Sequence, residues 1–126
     1  MALIADSLLD LILDDFDTLA DRIIICSAEP TTYAEANATY DIGAATISIP
    51  APVDNGGAGG GRKVVVPATS GNAVDSNGTA THYAIVDDGA SLLMAVNALS
   101  ASVALTTSDT WGSPSFELIV KDAVSA

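Results

Sequence analysis

Cys26 and His82 are each the only residue of their type in this sequence, and together they are the one pair that could supply a nucleophile and its base. That chemistry needs a thiolate within hydrogen-bond reach of the imidazole and a third group to orient the ring. Cys26 closes the run Ile23-Ile24-Ile25, a β-branched segment suited to a buried strand, where a thiol behaves as an inert small hydrophobe. A framework role is therefore expected for both Cys26 and His82. The glycine segment Gly56-Gly57-Ala58-Gly59-Gly60-Gly61, followed by Arg62-Lys63, invites a phosphate-cradle reading. It lacks Gly-Lys-Ser/Thr, follows Pro50 and Pro52 rather than a strand, and leads into Val64-Val65-Val66 rather than a helix. Asp87-Asp88 and the aspartates of the first twenty residues offer carboxylates to a hard cation, but without the Asp-x-Asp-x-Asp-Gly spacing of a calcium loop. Trp111, between Thr110 and Gly112 and close to Pro114, reads as a core or interface plug. No catalytic, cofactor or metal site is expected, and the chain reads as non-enzymatic.

The elements that position these residues follow from periodicity. Leu8, Leu9, Ile12, Leu13, Phe16, Leu19 and Ala20 recur at three- and four-residue steps, which predicts one amphipathic helix over Asp6–Asp21. Asp6 or Ser7 serves as its N-cap. Asp6, Asp10, Asp14, Asp17 and Asp21 share roughly one quarter of its circumference, so that quarter faces solvent or a basic partner. Like charges four residues apart weaken an isolated helix, so its apolar face must dock. Ile23–Ser27 predicts a buried strand ending before Pro30. Glu29–Ala36 predicts an ordered connection in which Thr31 or Thr32 caps a short helical turn. Further strands are expected at Thr46–Ile49, Lys63–Val66, Thr79–Val86, Leu92–Leu99, Ser102–Thr106 and Phe116–Lys121, with turns at Thr69–Asn72, Asp87–Gly89, Leu99–Ala101 and Thr110–Pro114. Asn77-Gly78 carries a hairpin signal. The sum is a mainly β fold, a β-sandwich or small barrel of short antiparallel strands with one N-terminal helix, and residues 55–61 form a surface loop.

With 126 residues the chain supports one domain, residues 1–126, with the β region over about 23–122. Aromatic residues supply only 5%, so the core must be built from small and β-branched side chains, which favours help from neighbouring copies. A net charge of −12 repels nucleic-acid phosphates and anionic membrane surfaces, so neither is expected as a partner. The single cysteine excludes an intrachain disulfide. No apolar run approaches the roughly 20 residues that span a bilayer. Ala2–Ala5 is cut short by Asp6 and lacks the basic start of a secretory signal, so a soluble protein is expected.

Ile25-Cys26-Ser27-Ala28-Glu29-Pro30-Thr31-Thr32-Tyr33-Ala34-Glu35-Ala36, Gly61-Arg62-Lys63-Val64 and Gly78-Thr79-Ala80-Thr81-His82-Tyr83-Ala84-Ile85-Val86, with Ala98-Leu99-Ser100 beyond them, occur in this order across most of the chain. These strings resemble a group of small virion proteins of tailed bacteriophages. The chain departs from the group's pattern in its glycine insertion before Arg62 and in its acidic first helix. The resemblance implies a capsid decoration, or cement, protein, made in the host cytoplasm and carried on the outer capsid surface. It would be bound to the major capsid protein, as a homotrimer, with no cofactor. Leu9, Ile12, Phe16, Gly59, Gly60, Gly61, Arg62, Lys63 and Trp111 are the candidate contact residues. The matching positions would be framework or contact positions, with no catalytic role for His82. Two alternatives stand beside this one: a tail or fibre adhesin holding a host glycan, and a small hydrolase using Cys26 and His82.

Overall fold

A computed structural model describes residues 6–54 and 61–120, with side chains over 13–54 and 61–119. Among the described residues, helix α1 spans Asp6–Leu19, and nine strands follow: β1 Arg22–Cys26, β2 Asp41–Thr46, β3 Val53–Asp54, β4 Arg62–Val66, β5 Thr69–Ala73, β6 Gly78–Asp87, β7 Leu92–Leu105, β8 Thr110–Ser113 and β9 Phe116–Val120. Every pairing is antiparallel. The largest sheet has the order β2-β1-β6-β7, a second runs β3-β4-β9, and β5 pairs with β8. The fold is mainly β with one short helix near the N-terminus, as the strand spacing predicts.

The run Ile23-Ile24-Ile25-Cys26 is continuously apolar because β1 is central and buried on both faces. Ile23 and Ile25 point into the main core with Ile42, Val64, Val66, Tyr83, Ile85 and Trp111. Ile24 and Cys26 point the other way, into a smaller cluster with Ala36, Ala84 and Val86. That second face is closed by the chain between β1 and β2, where Tyr33 and Tyr40 pack against it. Glu35–Thr39 forms a π turn there. Glu35 N donates to Thr32 Oγ1 at 3.1 Å, the local cap expected of this threonine-rich connection.

The helix ends at Leu19, two residues short of the periodic pattern, and Ala20 N still donates to Phe16 O at 2.9 Å. Leu13, Phe16 and Ala20 lie in the core, and α1 packs on β4. Asp21 therefore leaves the acidic stripe. Its backbone continues the sheet instead, Asp21 N donating to Val86 O and Ile47 N donating to Asp21 O, both at 3.1 Å.

Several segments differ from their sequence readings, among them Thr110–Pro114, expected as a turn, whose first four residues form strand β8. Thr46–Ile49 is not a strand of its own: Thr46 is the last residue of β2, Ile47 adds only its bond to Asp21 O, and both Ile47 and Ile49 are buried. Asn77-Gly78 is no hairpin, since β5 before it pairs with β8 while β6 after it joins the large sheet; Asn77 Oδ1 instead accepts from Thr107 N at 2.8 Å. Thr69–Asn72 lies in strand β5, where Gly71 at φ +67° takes up the register shift. The two strands expected at Leu92–Leu99 and Ser102–Thr106 are one strand, β7, and Leu99–Ala101 is a bulge within it. Ala80 faces Val103 while His82 faces Ala98, so the chain between them on β7 is longer than its partner and bows out of the ladder.

Candidate interface surfaces

The candidate contact residues are dispersed. Phe16 and Trp111 are 9% and 5% exposed and are packed in the main core, so their apolar surface is spent inside the chain rather than offered to a neighbour. Leu9 and Ile12 lie on α1, but their side chains fall outside the described residues, as do Gly59 and Gly60 altogether. Gly61 is buried at φ +90°, a backbone conformation that glycine adopts without a steric cost. Lys63 Nζ lies 3.0 Å from Glu117 Oε2 across the β4–β9 pair, and Arg62 stands opposite Asp54 in the β3–β4 ladder. These two cations are therefore not a joint anion cradle: neighbours on one strand, they point to opposite faces.

A polar clasp that the motifs did not single out closes one end of the large sheet. Arg22 begins β1, and its Nε lies 2.9 Å from Asp88 Oδ2. Nε lacks the alignment of a hydrogen bond, so this contact is Coulombic. The directed bond runs from Arg22 Nη2 to Asn37 Oδ1 in the π turn. Tyr33 OH donates to Asp88 Oδ1 at 2.9 Å, and Asp88 N donates to Asp21 Oδ1 at 3.1 Å. One guanidinium thus ties the start of β1, the covering segment and the end of β6. The hydrogen bond to Asp88 pushes the Tyr33 phenol above its usual range. The signal available in the sequence was scarcity. With four basic residues in 126, a cation at the mouth of an apolar strand must find carboxylates.

Asp41 at the start of β2 is less well served. Its Oδ1 is buried with no hydrogen-bond partner. Burial raises its pKa, the nearby Asp75 adds to the rise, and Arg22 opposes it.

The structure does bring Cys26 and His82 together, as directly opposed residues of β1 and β6. Their geometry is not that of a nucleophile and base. Cys26 Sγ sits 3.8 Å from Ile24 O and 3.9 Å from Ala36 O, whereas His82 Nδ1 is 2.9 Å from Thr81 Oγ1. Burial, with a smaller contribution from Asp41, pushes the Cys26 thiol up to about 12, the reverse of what nucleophilic activation requires.

Trp111 builds a shaped feature of the surface from beneath. Its ring stacks on Tyr83 at a centroid distance of 6.4 Å, its Nε1 donates to Ala73 O at 3.0 Å, and Tyr83 OH donates to Gly112 O at 3.3 Å. Both polar handles are used internally, leaving apolar ring surface for the wall. Above the stack, the β7 bulge opens two adjoining cavities of about 210 and 360 Å³ that share Tyr83, Leu99 and Val103. Such a groove can seat an apolar side chain. It presents no charged group.

Among the described residues no three His, Cys, Asp or Glu side chains gather as a metal site, and no helix is long and apolar enough to cross a membrane. Comparison of the chain with protein-family models, with curated proteins and with solved structures finds no match.

Proposed function

We propose that this chain is a non-enzymatic virion component that binds the outer lattice of a tailed-phage capsid and stabilises it, with the major capsid protein as its partner. The observation that supports the reading is where the resembling segments meet. Ile25–Ala36 and Gly78–Val86 supply the central β1–β6 pair and the segment covering its second face, and the Tyr33–Asp88 hydrogen bond ties that cover to the end of β6. Shared residues invested in a rigid frame suit a family whose product is a surface rather than a reaction. The strongly acidic composition favours a basic or neutral patch on the shell over nucleic acid.

The stabilisation is mass action. A protein that binds the mature, expanded lattice and not its disassembled subunits lowers the free energy of the assembled state at every occupied site. The test is to add the purified protein to shells that lack it and follow their disruption by heat. Saturable binding with a raised disruption temperature supports the proposal. Shells that bind none of it, or that gain no resistance when saturated, overturn it.

A further inference from the structure

Strand β7 is the longest described strand and stands at the edge of the large sheet, paired with β6 on one side only among the described residues. Its sequence, Leu92–Leu105, contains no charged residue and no proline, in a chain of net charge −12. Charge, proline and bulges are the usual devices that keep an edge strand from pairing with another chain, and of these β7 carries only bulges. Leu92 and Val103 are 49% and 46% exposed, so the strand offers apolar side chains beside its unpaired backbone groups. The wide Leu99–Ser102 bulge interrupts the far half, and a one-residue bulge at Met94 sits in the near half, which leaves Leu92–Ala98 as the longer stretch able to accept a partner, with Ala95–Ala98 its regular part.

We propose that two copies of this chain pair antiparallel through Leu92–Ala98, joining their four-stranded sheets into one continuous sheet across a two-fold axis. Two features select a second copy as the occupant. A basic partner would gain nothing from an edge without carboxylates. For two strongly acidic copies, by contrast, the uncharged edge is where approach brings the fewest like charges together. The other free edges do not match β7. Asp75 N and Ser76 N already donate to Ile42 O on the outer side of β2, β3 is only Val53-Asp54, β9 carries Glu117, and the two-stranded β5–β8 ribbon offers only short polar, glycine-containing edges, Thr69–Ala73 and Thr110–Ser113. The edge that fits β7 is therefore another β7, which makes the contact isologous and closed rather than the start of a fibre. This association differs from the trimer that the resemblance implies. It does not depend on the virion reading, because it is measured on the isolated protein.

The test is sedimentation equilibrium of the full chain at low and high salt, with Ala98→Lys/Ala104→Lys as the variant. Both positions are exposed, and the two lysines lower the net charge from −12 to −10, which by itself would favour association. The expected result is a monomer–dimer equilibrium that tightens severalfold as salt rises from about 0.02 to about 0.5 M, where the Debye length shrinks from about 20 to about 4 Å. The variant is expected to remain monomeric with an unchanged circular dichroism spectrum. A second measurement needs no variant: amide exchange of Leu92–Ala98 in the unmodified protein should slow as protein concentration rises. A monomer at all concentrations up to about 1 mM overturns the proposal, since specific pairing weaker than that is negligible. So does a trimer, a dimer that the lysines leave intact, or exchange in β7 that is independent of concentration.

Discussion

Arg22 Nε and Asp88 Oδ2 stand 2.9 Å apart, and through that contact the first residue of β1 is tied to the residue that follows β6. Arg22→Ala is expected to cost about 1–2 kcal/mol, the loss of charge-assisted contacts in a half-buried setting. Because Asp88 is more than a third exposed, solvent screening holds the pairwise coupling in an Arg22/Asp88 double-mutant cycle to about 1 kcal/mol or less. Urea unfolding measures both. Hydrogen exchange should show the loss concentrated in the covering segment around Tyr33 and Asn37.

Gly43 lies under Trp111. A Cβ there would come within 2.7 Å of Trp111 Nε1 and 2.6 Å of Ala73 O, the two atoms joined by the indole hydrogen bond. Gly43→Ala should therefore displace the ring and cost about 2–4 kcal/mol, overpacking plus a broken hydrogen bond. Trp111 is the sole tryptophan, so its emission reports the change directly and should shift to the red.

Cys26 should be inert in the native state. A thiol-specific reagent at pH 8 is expected to leave the folded protein unmodified and to label one thiol per chain once it is unfolded. The folded pKa of about 12 lies above the ordinary thiol value of 9.0, so the unfolded chain releases this proton first. Stability should fall as pH rises above about 9 and go on falling toward the folded value. Cys26→Ala should remove that part of the slope, read from urea unfolding across the alkaline range.

Asp41 contributes with the same sign at lower pH. Its folded pKa is raised, so between the unfolded and folded values the native state holds the proton more tightly and stability declines as pH rises through that interval. Asp41→Asn removes the buried charge. The variant should be more stable than the parent at pH 7, with the difference shrinking as pH falls toward the unfolded value of about 4. An equal difference at both pH values would assign the effect to packing.

The fold was legible where burial repeats. Ile23–Ser27 reads as a buried strand and Thr79–Val86 as a strand, because the central pair they form is apolar on both faces over Ile23–Cys26 and Ala84–Val86, and Leu13, Phe16 and Ala20 mark the docked face of the helix. Strand partners were less legible. Asn77-Gly78 has the composition of a tight turn, yet long-range pairing carries β5 and β6 into different sheets. Nor does the composition of Leu99-Ser100-Ala101 separate a turn from a bulge. The surfaces were the least legible. Phe16 and Trp111 are large apolar residues that a core thin in aromatics claims first, while the neutral edge of β7 emerges only once its place at the end of the sheet is known.

Cryo-electron microscopy of the intact virion tests the central claim most directly, because one map gives location and copy number together. The account predicts density for this mainly β domain repeated across the outer capsid lattice at symmetry-related sites. Density confined to the tail or fibres, in few copies, would contradict it.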